Sequence, residues 1–249
     1  MEAVVLRPGE GERLNERIVV KLDAREISVN EVRVQPGFEG AGPHFHERHV
    51  DAFYVLEGAL EIINGEETVR AEAGTAVTVP PRVVHGFKNA DPAPAAYLNI
   101  HAPDEKFIEY LRHAVRGEKY DWDSVDVDEP QGPPGAIVSG PDGGERLRRA
   151  EWLTNTIKAE TEELSLFVLE FDERWEGVDP HSHDDHVDSF YVLDGEVDFL
   201  AGDATVRLGP GSYFAAPIGV THGFRPVGPA RVVNLHAPDA GFAGRARGR

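Results

Sequence analysis

No cysteine occurs among the 249 residues, and methionine and tryptophan are nearly as scarce, at one and three. The missing thiols exclude disulfides, thiolate metal sites and cysteine nucleophiles. Basic residues are also in short supply, 25 against 44 acidic ones, for a formal charge of −19. A surface of that sign repels nucleic acid and anionic membranes, so neither is expected as a partner. No apolar run approaches the length of a membrane span, and the N-terminal stretch lacks the apolar segment and cleavage site of a signal peptide. The expectation is a soluble, cytoplasmic protein.

What is present is a turn-rich text written twice. Hydrophobic residues make up 41%, and 26 glycines and 18 prolines punctuate the whole length, which suits a folded, turn-rich protein better than a helical bundle or a disordered chain. HFHERHVDAFYVLEG at 44–58 returns as HSHDDHVDSFYVLDG at 181–195, an offset of 137. The same offset aligns Ser28 with Ser165, Gly74 with Gly211, Pro80 with Pro217 and His85 with His222. GERL at 11–14 recurs at 144–147, and LNIHAPD at 98–104 recurs as LNLHAPD at 233–239. Ten of the 11 histidines fall into five matched pairs, and only His113 stands alone.

Each half reads as short strands. ISVNEVRV, AFYVLEG, LEII, AVTVP and AAYLNI are rich in branched and aromatic residues and are separated by Gly, Pro or acidic turns. The second half answers with LSLFVLEF, SFYVLDG, VDFL, SYFAAP and ARVVNL. Many closely spaced strands predict an all-β sandwich or barrel in each half. One helix is predicted over 104–116: Asp104 can cap it, Phe107, Ile108, Leu111 and Val115 share a face, and Gly117 ends it. The acidic, Pro/Gly-rich stretch 117–135 reads as a linker, which divides the chain into 1–116, 117–135 and 136–249. The Arg-rich tail GRARGR reads as unstructured.

The histidines carry the chemistry. His44 and His46 lie two apart, so on a strand both rings point to one side of the sheet. Asp51 follows a short turn, and His85 comes after the stiff VPPRVVHG; His181, His183, Asp188 and His222 repeat the set. Three neutral imidazoles and a carboxylate suit a divalent first-row metal (Fe, Mn, Ni, Cu or Zn), up to one per half. The oxygen donors are too few for a calcium cage. Burying several imidazoles without a metal leaves nitrogens in need of partners, which is costly. His49 and His186, two residues ahead of each aspartate, are alternative ligands or supports, or else exposed turn residues. Phe53 and Phe190 are in phase with the aspartates and are assigned to the core. His101 and His236, with Asn99 and Asn234, close their strands and read as structural. No phosphate-cradling loop or nucleophile elbow occurs, so no organic cofactor and no catalytic residue is assigned.

These motifs resemble the cupin family, and the chain resembles a bicupin with two cupin β-barrels in tandem. The first cupin motif has HxH, three or four residues, Glu, six residues and Gly, which HFHERHVDAFYVLEG and HSHDDHVDSFYVLDG follow except for Asp51 and Asp188 at the Glu position. The second motif is followed by GTAVTVPPRVVHGFKN and GSYFAAPIGVTHGFRP, with Arg82 in place of a Gly and Pro226 in place of an Asn. Phe38 and Trp175 replace the first motif's leading Gly. Aspartate is one methylene shorter than glutamate, which leaves direct or water-bridged ligation open.

The resemblance implies the double-stranded β-helix or jelly-roll fold and several functions. One is a metal-dependent dioxygenase, similar to quercetin dioxygenase-like bicupins, acting on a small enol, phenol or diketone-like substrate. Another is an oxalate decarboxylase-like enzyme, which calls for a pocket arginine; Arg33 is the sole strand arginine ahead of the first HxH. A third is a non-catalytic small-molecule-binding bicupin. The halves are expected to pair as an intramolecular pseudo-dimer, or as a homodimer of such units. Unequal neighbours (Asn30 against Phe167, Val32 against Leu169, Ala76 against Tyr213, Thr78 against Ala215) imply a roomier N-terminal pocket, with Phe167 and Tyr213 filling the other.

Overall fold

The computed structural model describes residues 2–202 and 204–248. Among them, every regular element is a strand except two short helices, Phe107–Ala114 and Phe242–Ala246. Neither helix is long and apolar enough to cross a membrane. The chain separates into two compact units. One runs from Glu12 to Gly143, and the other joins the residues up to Gly11 to those from Gly144 onward.

The first unit is a jelly roll of two antiparallel sheets. The larger has the order Ile137–Ser139, Ala76–Val79, Val50–Glu57, Ala95–Ala102, Ser28–Val34, Ile18–Asp23, Glu12–Arg13. The smaller has the order Val125–Asp126, Phe38–Phe45, His85–Asn89, Ala59–Asn64, Glu67–Glu72. Period-two patterning builds the core between them. Val32 and Val34, Phe53 and Val55, Val77 and Val79, and Leu60 and Ile62 all project into one buried cluster. In phase with these residues, further along the same inner face, stand Ser28, Asn30, Asp51, Asn99 and His101. One end of the inner face is thus apolar and the other polar, and the polar end is the site.

The second unit repeats this plan. Its larger sheet runs Val4–Leu6, Tyr213–Ala216, Val187–Asp194, Ala230–Ala237, Ser165–Phe171, Leu153–Glu160, Glu145–Ala150, and its smaller one Val178–His181, His222–Pro226, Val197–Ala201, Ala204–Leu208. Phe167, Phe190, Phe199, Phe214 and Phe224 make its core more aromatic than the first. Phe53 and Phe190 are core residues, as their phase implies.

The chain divides differently from the partition 1–116, 117–135 and 136–249. Val4–Leu6 pairs with Tyr213–Ala216, whereas its repeat counterpart Ile137–Ser139 pairs with Ala76–Val79. Each edge strand thus completes the unit encoded by the other half of the chain. The stretch 117–135 is no free linker either: Trp122 packs with Val20, Phe107 and Ile108, and Val125–Asp126 adds a strand beside Phe38–Phe45. Apolar burial and backbone pairing override a local texture that reads as solvated.

Two helical expectations also change. The first helix begins at Phe107 rather than after Asp104, because Lys106 takes the left-handed conformation (φ 69°) just ahead of it. The C-terminal tail is not unstructured: Phe242–Ala246 is helical, and the Arg247 guanidinium that follows lies 2.6 Å from Glu145 and 2.8 Å from Glu160.

One glycine in the histidine-bearing strand has no substitute. Gly40 has φ +66°, and a Cβ built there would lie 1.7 Å from the Phe87 carbonyl oxygen on the His85 strand. Gly40→Ala should cost roughly 3 kcal/mol or more, since it combines backbone strain with a clash against another backbone. A denaturant midpoint unchanged from wild type would refute this.

Candidate metal centre

Strand pairing assembles the N-terminal site. His44 sits directly opposite His85, and Asp51 is paired with His101 on the next strand. His44, His46, Asp51 and His85 bring one ligand atom each to within 4.8 Å of one another, all four residues buried. His44 Nδ1 donates to Gly42 O at 2.9 Å, His85 Nδ1 to Val83 O at 2.9 Å and His46 Nδ1 to Asp123 O at 2.5 Å. With Nδ1 holding the proton, each Nε2 presents a lone pair to the centre. His85 Nε2 and His46 Nε2 lie 3.3 and 3.9 Å from Asp51 Oδ2, and both nitrogens are buried without a hydrogen-bond partner among the described residues. Lone pairs facing a carboxylate in a buried space repel unless a cation stands between them. The donor set fits a divalent metal. Burial, and then neighbouring imidazoles, holds His44 and His46 below the usual histidine range, so both rings are in the neutral form a metal needs.

The shorter aspartate arm is reached by support from behind. Asn99 Nδ2 donates to Asp51 Oδ1 at 2.6 Å, leaving Oδ2 for the centre. Arg82, where the family pattern has glycine, keeps glycine's conformation (φ 68°), and its N–H donates to His46 O at 2.7 Å. Gly219 (φ 79°) makes the same bond to His183 O at 2.7 Å.

Behind the ligands runs a chain of polar contacts. Asp123 Oδ2 accepts from His49 Nδ1 at 2.9 Å, and His49 Nε2 meets His101 Nδ1 at 2.9 Å. The Asp123 carboxylate also accepts from the Glu47 and Arg48 N–H groups at 3.2 and 2.8 Å. Burial opposes ionisation there, but these hydrogen bonds outweigh it and hold Asp123 below its ordinary value. His49 is fully buried, so it is neither an exposed turn residue nor a member of the four-residue set; its ring stacks on His46 with centroids 4.0 Å apart. His46, His49 and His101 do form a second close group of their own. His101 lines the cavity with Phe107 stacked on it at 3.6 Å, a closer relation to the site than a structural strand end implies.

The second site repeats the ligands with looser bracing. His181, His183, Asp188 and His222 gather within 4.8 Å, with His181 and His183 only half-buried. His181 and His222 donate through Nδ1 to Asp179 O and Val220 O at 2.9 and 3.0 Å. Asn234 donates to Asp188 at 2.6 Å, as Asn99 does to Asp51. Burial works against the Asp188 charge, yet the surrounding histidines, His236 first, hold its carboxyl far below the carboxylate range. His186 Nδ1 turns to the exposed Asp185 at 2.6 Å, and no His186–His236 bond closes: His186 Nε2 and His236 Nδ1 both lack partners among the described residues.

Each site opens into its own cavity, about 900 Å³ in the first unit and about 580 Å³ in the second. The order of sizes matches the expectation, but its cause does so only in part. Phe167 belongs to the inner core, whereas Tyr213 alternates out of phase with Phe214 and Ala216 and does not join that core. The sequence reading missed Trp122 and Asp123. The signal available was a tryptophan inside an otherwise acidic, Pro/Gly-rich stretch.

A cupin-domain family model matches residues 30–101 and again residues 167–236, more than half of the chain. The chain belongs to the cupin family. As a bicupin it is similar to quercetin 2,3-dioxygenase of Bacillus subtilis (strain 168), 23% identical over 272 residues, covering 89% of this chain and 78% of the relative. In fold it resembles a variant of salicylate 1,2-dioxygenase from Pseudoaminobacter salicylatoxidans (TM-score 0.67, 14% identity, 98% of this chain and 78% of that one). It also resembles oxalate decarboxylase from Lactobacillus farciminis (TM-score 0.62, 12% identity, 95% and 86%).

Proposed function

We propose that this bicupin is a metal-dependent dioxygenase acting on a small enol, phenol or diketone-like substrate, with the N-terminal cavity as its main reaction site. In this reading His44, His46, Asp51 and His85 hold one divalent metal, and His181, His183, Asp188 and His222 hold a second. The observation that carries it is the pair of Nε2 lone pairs, on His46 and His85, that lack partners among the described residues and converge on Asp51, which lines an aromatic-walled cavity with His44 and His46. A redox-capable metal bound there would supply Lewis acidity and electron exchange between dioxygen and an electron-rich substrate. The chain's own residues do the rest. Asn99 orients Asp51, the Asp123 carbonyl fixes the His46 tautomer, and Phe107 and Trp122 wall the site against water.

Relatedness to a quercetin dioxygenase supports the same reaction class. The arginine the sequence offered to the decarboxylase alternative is not in place: Arg33 pairs with Glu31 and Glu57, each at 3.2 Å, with its side chain about half exposed and outside the cavity lining, and Arg17, which does line the cavity, lies over the Phe38 ring at 5.0 Å. The test is oxygen uptake with a panel of flavonols and diketones. Chelator-stripped protein should lose at least about 90% of the rate and regain it with one added first-row metal. Uptake that survives stripping, or carbon dioxide release from oxalate without uptake, would overturn the proposal.

A further inference from the structure

Asn30 is buried in the wall of the N-terminal cavity, fully enclosed, and neither its Nδ2 nor its Oδ1 has a hydrogen-bond partner among the described residues. A primary amide left bare in a protein interior is costly, and buried polar groups are nearly always paired. Its orientation is set by register. Asn30 shares the inner face with Val32 and Val34, and it sits directly across from Asn99, the residue that holds Asp51. Side chains opposite each other on paired strands stand about 5 Å apart, which puts the amide beside the metal centre's support. Around it the cavity is lined by Phe38, Phe87, Tyr97, Phe107 and Trp122.

We propose that Asn30 positions the substrate, its amide hydrogen-bonding a hydroxyl or carbonyl group of a flat aromatic molecule held between those rings. This rests on the N-terminal cavity being the substrate site. The amide offers both a donor and an acceptor, so a ligand with either group satisfies part of it, and an unsubstituted ring satisfies none. A site built to bond a polar group discriminates strongly against analogues lacking it, because its own buried atoms then stay unpaired.

The second unit shows what the position looks like without this role. There the counterpart is Phe167, whose ring meets Phe242 edge-on at 4.9 Å and fills the space. That cavity offers an acceptor elsewhere, Asn155 Oδ1, which has no partner among the described residues and comes from the strand position that Ile18 holds in the first unit. The two cavities therefore select different ligands.

The test uses the metal-loaded full chain and three probes of similar size: phenol, acetophenone and fluorobenzene, which keeps the ring but not the hydrogen-bonding group. Quenching of Trp122 reports on this cavity, read in a Trp152→Phe/Trp175→Phe background. Phenol and acetophenone should bind more tightly than fluorobenzene, and Asn30→Leu should weaken both by roughly tenfold while leaving fluorobenzene unchanged. The melting temperature of Asn30→Leu should stay level or rise, because the bare amide is gone. Should the leucine variant not fold, Asn30→Ser keeps one hydroxyl on the wall and should show an intermediate loss. Equal binding of the three probes, no saturable quenching by any, or a variant that melts lower with unchanged binding would each overturn the assignment. Asn30-dependent binding with no oxygen uptake on any substrate would instead uphold it and count against the dioxygenase reading.

Discussion

His46→Ala should remove about one equivalent of metal per chain and abolish turnover, leaving the C-terminal metal in place. His46 contributes more than one of four ligands. Its Nδ1 anchors the site to the Asp123 carbonyl, its backbone carbonyl accepts from Arg82, and its ring stacks on His49. Deleting it leaves a gap in the donor set between Asp51 and His85, with only Asn99 and the Gly42 and Val83 carbonyls to hold the three remaining ligands. A fall in rate of about a thousandfold or more is expected once a substrate is in hand. His183→Ala should also lose about one equivalent of metal but keep the rate within roughly threefold, because the cavity it serves is smaller and its bracing looser. Metal analysis and steady-state rates on both variants decide the matter. Activity that vanishes in His183→Ala and persists in His46→Ala would reverse the assignment of the working site. The same pair separates metal from fold. If the sites are filled, the loaded wild type should be more stable than the stripped protein, by about 4 kcal/mol per site at a metal concentration a thousand times the dissociation constant, and each variant should lose one site's share.

Much of this was legible because the signals are local and doubled. Period-two runs such as VDAFYVLE put Asp51 in phase with Phe53, and the HxH spacing puts two rings on one side of a strand, so the inner face can be written down before any contact is seen. The duplication guards against coincidence, since a pattern kept in register with Gly and Pro landmarks in both halves is hard to produce by chance. The distribution of roles among the histidines was not legible. His49 and His101 meet across 52 residues of chain and Asp123 reaches His49 across 74, so their pairing is a product of closure. Nor did composition reveal where one unit stops. The edge strand Ile137–Ser139 is three residues long and follows a run of Gly and Pro, and its partner is decided by which sheet edge lies open. A closer comparison of AVVL at 3–6 with AIVS at 136–139, offset by 133 like GERL, would have marked both as equivalent strands.

Asp123 is where the misread stretch matters most for function, and Asp123→Ala should show it. The side chain accepts from two backbone N–H groups and from the buried His49, all inside the half-buried loop between His46 and Asp51. Removing it strands those three donors, a loss of about 2–4 kcal/mol in stability by the usual cost of unsatisfied buried groups. The loop it anchors carries the ligand His46 at one end and Asp51 at the other, and its own backbone carbonyl sets the His46 tautomer. Metal affinity at the N-terminal site should therefore fall by about 10- to 100-fold, the range seen when a ligand's outer partner is lost. The C-terminal site, where His186 turns to exposed Asp185 instead, should bind metal as before. Asp123→Asn is the discriminating control: its amide oxygen can still accept from one or two of the N–H groups, so stability should recover in part while His49 loses its charged partner. Metal titrations that resolve two sites, read beside thermal melts, check the whole pattern. Unchanged affinity at both sites in Asp123→Ala would mean that the 117–135 stretch covers the first unit without shaping its metal centre.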